Sequence, residues 1–256
     1  PDSAGQNAMR RSLDLLLAKG LRVRILKLAG GLDPDDFVRK EGGDVYRRLL
    51  RVRPQDDAAF RRLALLYELT GNFTELGQIA DKRLEVLPND PQARLAAAKA
   101  LYYRQKSDEA RTALEQLVGQ LSTRSDGRSE LVEACCLLSS LAAGSIKSGG
   151  DEAKATEARR WLDQAVAGDP NSALALAQRA ALVRVLAERT QRAPSAAELE
   201  AAQDDLKKAQ TLAIDDPHVY LLLSEQWLAL GKFDEAAAQL EAARHVDSQT
   251  VQEYVV

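Results

Sequence analysis

The segment Phe60-Arg-Arg-Leu-Ala-Leu-Leu-Tyr67 decides the predicted fold, because its pattern returns later in the chain as Tyr220-Leu-Leu-Leu-Ser-Glu-Gln-Trp227. Each copy has an aromatic residue, then Leu and a small residue, then a second aromatic residue. Each is followed by a Gly-x-Phe turn, at Gly71 and at Gly231, and by a second amphipathic stretch. Apolar residues at this spacing indicate helices, and glycine can adopt the positive φ that a tight turn needs. The pattern therefore predicts two helical hairpins.

Weaker copies of this hairpin occupy the chain between the two clear ones. We predict five units, which cover residues 57–90, 91–120, 129–170, 171–216 and 217–248. The second unit has Gln105 where the clear copies have glycine, and polar loops at residues 122–128, 144–151 and 190–195 lengthen the middle of the array. Ser195 followed by Glu198 predicts a helix start in the fourth unit. The loops could be partner-binding insertions or simply slack connections at the edge of the array.

These repeats resemble the tetratricopeptide repeat (TPR) family, whose period is about 34 residues. The resemblance covers residues 51–256 and implies a mainly α solenoid of helical hairpins, whose concave groove binds a protein or peptide without any cofactor. The first helices of the units would line this groove, and a mixed apolar and charged lining suits a helix or an extended segment. The candidate groove residues are Arg61, Leu65, Glu68, Leu95, Lys99, Tyr102, Leu221 and Glu225. Among them, we expect Tyr102 to be substantially exposed and to act as an interface anchor.

The first fifty residues have a different organisation. Residues 4–18 form an amphipathic pattern, residues 21–28 alternate between apolar and basic side chains, and a short helical pattern follows Asp33. Strict alternation is typical of a β-strand. Residues 1–50 are therefore predicted to be a helix–strand–helix fragment of an α/β fold, and to form a domain separate from the repeats.

This fragment resembles the later part of the Toprim domain of bacterial DNA primases. The elements that carry the resemblance are Asp2-Ser-Ala-Gly5, Gly20-Leu-Arg-Val-Arg24 and Asp33-Pro-Asp35, in that order. The resemblance implies that Asp2, Asp33 and Asp35 hold catalytic Mg²⁺ or Mn²⁺, as carboxylates do in phosphoryl chemistry. The family's preceding aspartate is missing because the sequence starts at Pro1, so the implied metal site is incomplete and we expect a truncated sequence. Taken without the resemblance, Asp33 and Asp35 are an N-cap and a first-turn acid of a helix.

The amino-acid composition limits the classes of function that the sequence supports. Apolar residues make up 45% and charged residues 29% of the 256 residues, as in soluble globular proteins, and the formal net charge of −3 is too small to indicate nucleic-acid binding by charge alone. The longest apolar stretches are too short to span a bilayer, so we expect no membrane association. Cys135 and Cys136 are adjacent within an apolar helical run, which predicts buried, reduced thiols and a cytoplasmic protein. The resemblance to bacterial primases implies a bacterial source.

Two functions follow from these patterns. The first is a non-catalytic protein-interaction scaffold built from tetratricopeptide repeats. The alternative is a fragment of a bacterial DNA primase, in which a Toprim nucleotidyltransferase core that synthesises RNA primers on single-stranded DNA is fused to the repeat array. Because the acidic site of this core is incomplete, we expect no enzymatic activity from the chain alone.

Overall fold

The computed structural model describes residues 47, 50, 55–124, 126–147, 151–212 and 217–243, and the regular secondary structure of these residues is α-helical. The predicted helix–strand–helix fragment, with its strand at residues 21–28, lies outside the described residues. The domain boundary near residue 50 also stays a prediction.

The described helices follow one another with short connections. Their bounds are α1 Asp57–Leu69, α2 Phe73–Val86, α3 Pro91–Tyr103, α4 Ser107–Leu121, α5 Arg128–Gly144, α6 Glu152–Gly168, α7 Ala173–Thr190, α8 Ala196–Leu212 and α9 Pro217–Ala229. Residues 233–243 are helical as well. We number the consecutive pairs as units 1 to 5, so that unit 1 is α1 with α2 and unit 5 is α9 with the helical segment 233–243.

The packing between helices gives the array its two layers. Each of the helices α1 to α8 contacts the next one along the chain. In addition, α3 contacts α5, α5 contacts α7, and α7 contacts α9, so the first helices of neighbouring units lie side by side. Units that contact mainly their neighbours form a solenoid, in which one layer of helices presents an extended face. The predicted TPR-like helical solenoid is confirmed for this part of the chain.

The turn inside a unit recurs with the same hydrogen bonds in units 1, 2 and 5. Gly71, Gln105 and Gly231 occupy equivalent places and have φ of 70°, 61° and 70°. In unit 1 the Asn72 amide donates to the Tyr67 carbonyl over 2.8 Å, which is the closing bond of a Schellman motif. The equivalent bonds are Lys106 N to Leu101 O at 3.0 Å and Lys232 N to Trp227 O at 2.9 Å. Gln105 therefore takes the left-handed conformation that glycine takes in the clear copies.

The core consists of aliphatic and small side chains between the two layers. Phe60, Leu63, Tyr67 and Leu76 are buried in unit 1, and Trp227 is buried in unit 5. Alanine is frequent among the buried residues of every unit, which lets neighbouring helices approach closely. The predicted burial of Cys135 and Cys136 is confirmed, and both are free thiols.

A buried arginine joins units 1 and 2. Arg83 of α2 is 3% exposed and lies between the carboxylates of Asp57, in the first turn of α1, and Asp90, the N-cap of α3. Its guanidinium carbon also lies 4.7 Å from the centre of the Phe60 ring. One side chain thus connects three helices. Charged residues are rarely buried unless they are paired, so these two carboxylates allow Arg83 to occupy the core.

The helix start in unit 4 has the predicted capping geometry. The Glu198 amide donates to the Ser195 hydroxyl oxygen over 3.2 Å, and the Ser195 amide donates to the Glu198 carboxylate over 2.7 Å. Two amides that lack a partner within the helix are satisfied by this exchange. The loop at residues 191–195 therefore ends in a fixed geometry on α8.

Candidate functional site

The exposed side chains of α1, α3, α5, α7 and α9 form what we call the inner face, because these first helices make up one layer of the array. Of the predicted groove residues, Arg61 and Leu65 on α1 are exposed, as are Leu221 and Glu225 on α9. All four lie on first helices of a unit, as the repeat pattern predicts.

The prediction that Leu95 lines an open groove is wrong. It is 6% exposed and belongs to the hydrophobic cluster that includes Leu117 of α4 and Leu131 of α5. Its helix also buries Ala93, Ala96, Ala98 and Ala100. Because these side chains are small, neighbouring helices come close to α3, and they enclose the longer side chain of Leu95. Leu95 is part of the core and not of an open groove.

Lys99 is the centre of an ion-pair network across three first helices. Its Nζ atom lies 3.0 Å from Oε2 of Glu68 on α1 and 2.6 Å from Oε2 of Glu133 on α5. Burial lowers the Lys99 pKa, but the attraction of the two carboxylates outweighs this effect, and the pKa is raised above its ordinary value. Lys99 and Glu68, both predicted as groove residues, therefore bind each other. Sequence reasoning had no means of including Glu133, since the helix that carries it lacks a clear repeat motif.

An aromatic cluster lies at the end of α3 beside this network. The Tyr103 ring stacks on Phe73 of α2 with 4.4 Å between ring centres, and Tyr102 contacts Tyr103 edge-on at 5.1 Å. Tyr102 is half-buried, so it is less exposed than we predicted, whereas Tyr103 is 46% exposed. Burial raises the pKa of the Tyr103 hydroxyl. The exposed aromatic residue is therefore Tyr103, one position after the predicted anchor.

Exposed leucines on α1 extend this apolar surface. Leu69 is 77% exposed, and Leu65, one helical turn earlier, is exposed too. Glu68 lies next to Leu69 in sequence and pairs with Lys99 of α3, so the exposed leucines of α1 and the tyrosines of α3 lie on first helices that one ion pair joins. We call Leu65, Leu69, Tyr102 and Tyr103 the N-terminal inner patch.

A separate pocket of about 370 Å³ lies between α6, α7 and α8. Its floor includes Leu182 and Leu186, and its rim carries arginines that are already paired with carboxylates. Arg179 donates two hydrogen bonds to Asp205, over 2.7 and 2.8 Å, and Arg192 donates to Glu198 over 2.6 Å. The contacts from Arg192 and Ser195 hold the Glu198 pKa at about 2. Two further ion pairs reach α6 of unit 3, from Arg179 to Asp163 over 3.4 Å and from Arg159 to Glu198 over 3.5 Å, so the charges of the rim compensate one another and connect units 3 and 4.

No cluster of three or more His, Cys, Asp or Glu side chains in the described part of the chain is placed to hold a metal ion. The implied metal ligands Asp2, Asp33 and Asp35 lie outside that part. Burial raises the pKa of the Cys135 thiol to about 12 and that of Cys136 further, so both stay protonated at neutral pH and are poor nucleophiles.

None of the helices that the structure describes combines the length and the apolar character that crossing a bilayer requires.

Comparisons of the sequence with known proteins point to DNA primases over a limited region. The chain is 45% identical over 49 residues to the DNA primase of Clostridium acetobutylicum, which covers 19% of this chain and 8% of that protein. It is 31% identical over 123 residues to the DNA primase of Listeria monocytogenes, covering 47% of this chain and 19% of that protein. The chain thus spans less than a fifth of the length of these curated relatives. No protein-family profile matches the chain.

Comparisons of the structure point to TPR proteins over most of the chain. A thermophilic TPR protein from Thermus thermophilus is 23% identical with a TM-score of 0.55, and the match covers 76% of this chain and 94% of that one. A tetratricopeptide repeat protein from Parabacteroides merdae is 14% identical with a TM-score of 0.55, covering 95% and 88%. At these identities the likeness establishes the fold, which is TPR-like.

Proposed function

We propose that this chain is a non-catalytic protein-interaction scaffold whose inner face binds an extended or helical segment of a partner protein. The observation that carries this proposal is the exposed N-terminal inner patch, in which Leu69 and Tyr103 from neighbouring units lie on one layer of helices. Exposed apolar side chains that are grouped on a rigid surface are typical of binding sites.

The N-terminal inner patch favours a partner segment with apolar side chains. Its charged neighbours Glu68, Lys99 and Glu133 are two carboxylates and one ammonium group, so the positive charge of Lys99 is already compensated and does not attract a terminal carboxylate. Tyrosine combines a rigid ring with a polar tip, and Tyr103 is held by its stack on Phe73. Such a preorganised aromatic residue loses little conformational freedom on binding.

A comparative pull-down tests the proposal. The immobilised wild-type chain and its Leu69→Glu variant are incubated with a lysate of the source organism, and the retained proteins are quantified by mass spectrometry. Leu69 is exposed, so the substitution should leave folding unchanged while it places a charge in the binding surface. We expect at least one protein to be retained by the wild type and lost from the variant.

The matched control is Val86→Glu, which adds the same charge at an exposed apolar residue of α2, a second helix of a unit. The control should retain the same partner as the wild type. Equal retention by all three chains would refute the inner face as the binding surface.

A second candidate function is supported by the similarity to DNA primases. In this reading, residues 1–50 are part of a Toprim-type nucleotidyltransferase, with Asp2, Asp33 and Asp35 as ligands for Mg²⁺ or Mn²⁺, and the repeats are an attached domain of residues 51–256. A purified chain that incorporates ribonucleotides on single-stranded DNA, and loses this activity on Asp33→Asn, would establish it. We expect no incorporation by the chain alone.

We also propose a cytoplasmic location. The two buried, unpaired cysteines support a reducing compartment, since thiols persist there.

A further inference from the structure

The pocket between α6, α7 and α8 is formed entirely by residues that the structure describes. Small side chains line its walls, at Ala187 of α7 and at Ala201 and Ala202 of α8. Because these methyl groups do not fill the space between the helices, a volume of about 370 Å³ remains. Ligand pockets in proteins have volumes of about 300–1,000 Å³, so this pocket has room for one compact group.

The loop at residues 191–195 forms one wall of this pocket, through Arg192 and Pro194. The loop begins at Gln191, which has a φ of 55°, and it ends in the reciprocal hydrogen bonds between Ser195 and Glu198. Arg192 also donates to the Glu198 carboxylate over 2.6 Å. The loop is therefore held in place on α8 and shapes a cavity, which favours a binding role over a slack connection.

The charges that line the pocket favour an uncharged occupant. The lining has three basic and three acidic side chains, which are Arg159, Arg179, Arg192, Asp163, Glu198 and Asp205. Each of these six takes part in at least one ion pair with another of them. A charged ligand would have to compete with these existing pairs for either sign of charge. An uncharged group can enter without breaking them.

The floor and one wall favour an aromatic ring over an aliphatic chain. Leu182 and Leu186 give an apolar floor that removes a ring from water. Arg179 donates two hydrogen bonds to Asp205, over 2.7 and 2.8 Å. All donors of a guanidinium group lie in its plane, so these hydrogen bonds do not use its two faces, and such faces stack on aromatic rings.

We propose that this pocket binds an aromatic side chain, of Trp, Tyr or Phe, on a segment of a partner protein. The Asp163 and Arg192 side chains at the rim are 66% and 51% exposed, so groups of both signs are accessible to the backbone N–H and C=O groups beside the ring. A free aromatic molecule lacks these backbone groups. Because α6 and α8 do not belong to the inner face, this site goes beyond the scaffold surface proposed above.

The test titrates the full chain with three uncharged probes and follows binding through the NMR chemical shifts of its backbone amides. The probes are the blocked peptides acetyl-Ala-Trp-Ala-amide and acetyl-Ala-Leu-Ala-amide, and free indole. We expect the Trp peptide to shift the amides of Ala187 and Ala201 saturably, and the other two probes to bind at least about threefold more weakly. Equally tight binding of the Leu peptide would overturn the aromatic preference, and equally tight binding of indole would overturn the assignment to a partner segment.

Two substitutions locate the binding in the pocket. Ala201→Trp should abolish binding of the Trp peptide, because the new ring fills the space, and folding should persist since Ala201 is exposed. The matched control is Ala197→Trp, which adds the same ring one helical turn earlier on α8, at an exposed residue outside the pocket lining, and should bind as the wild type does.

Arg179→Lys keeps the positive charge but removes the planar face, so it should weaken binding by about threefold. Thermal unfolding should show that all variants fold. The absence of saturable binding by the wild type, or equal binding by Ala201→Trp, would overturn the proposal. Either result would leave the inner-face pull-down unaffected, because that experiment depends on Leu69.

Discussion

Replacing Arg83 tests whether its ion pairs hold units 1 and 2 together. The side chain of Arg83 is 4% exposed, and two of its partners differ in exposure: Asp90 is 9% exposed and Asp57 is 60% exposed. Arg83→Met keeps an apolar stem beside Phe60 and removes the charge, which leaves Asp90 buried without its partner. Asp57 is already largely in contact with water, so the buried Asp90 is the main source of the destabilisation.

The magnitude follows from these two environments. Removing one partner of a buried ion pair costs about 3–5 kcal/mol, whereas an exposed pair contributes about 0–1 kcal/mol. Asp90 also accepts hydrogen bonds from the Gln92 and Ala93 amides, which continue to compensate its charge. We therefore expect Arg83→Met to lower the free energy of unfolding by about 3 kcal/mol, at the lower end of the buried-pair range. Asp57→Asn should cost less than about 1 kcal/mol.

Urea unfolding combined with amide hydrogen exchange measures both the size and the place of this effect. Units of a solenoid contact mainly their neighbours, so faster exchange should be concentrated in α1, α2 and α3, with α7 and α8 little changed. A loss below about 1 kcal/mol in Arg83→Met would place the pair among surface ion pairs and refute the reasoning. An equal loss in Asp57→Asn would show that the buried carboxylate is not the cause.

Three further predictions concern the turns, acid stability and the thiols. Gly231→Val should lower the free energy of unfolding by about 1–2 kcal/mol, because φ is 70° at this position. Gly119→Ala should raise it by about 0.5 kcal/mol, because Gly119 lies within α4 and there is free space around the added methyl group. The thermal unfolding midpoints of the two variants should therefore move in opposite directions. Because the Glu198 pKa is lowered from 4.5 to about 2, its contribution to stability is present above the unfolded pKa and is lost as the pH falls from about 4.5 towards 2. Glu198→Gln should therefore make unfolding less dependent on pH in this window, and identical pH profiles would contradict this. Cys135 and Cys136 should resist alkylation by iodoacetamide at pH 8 in the folded chain and react only on unfolding, because burial raises both pKa values; mass spectrometry would detect any early labelling.

The sequence was sufficient to predict the helical hairpins because their turns and small residues are local features. The equivalence of Gly71 and Gly231, and the capping box at Ser195, depend on residues within one or two turns of helix. Contacts between units depend on the angle at which helices cross, and this angle is not encoded in any single segment. For this reason the prediction included Leu95, which is enclosed by α4 and α5, and missed Glu133, which reaches Lys99 from the next unit.

The prediction of Tyr102 as the exposed anchor was displaced by one residue for the same reason. Tyr102 and Tyr103 are adjacent, and periodicity alone favoured the first of them. The stack of Tyr103 on Phe73 turns the second tyrosine towards the open surface, and this contact depends on how α3 crosses α2. A shift of one position moves a side chain by about 100° around a helix axis, so small errors in helix register change which residue is exposed.

The ion pairs of Lys99 have a mechanical consequence. Repeats of a solenoid contact mainly their neighbours, so the array widens when the first helices of neighbouring units move apart. Lys99 ties α1, α3 and α5 together on that layer, since its ammonium group lies within 3.0 Å of carboxylates on both neighbouring helices. The first helices of units 1, 2 and 3 are therefore linked through one ammonium group, and we expect that separating them along this layer requires breaking both ion pairs. We expect a partner that binds across α1, α3 and α5 to meet first helices whose spacing these ion pairs hold, whereas the first helices after α5 lie outside the Lys99 network.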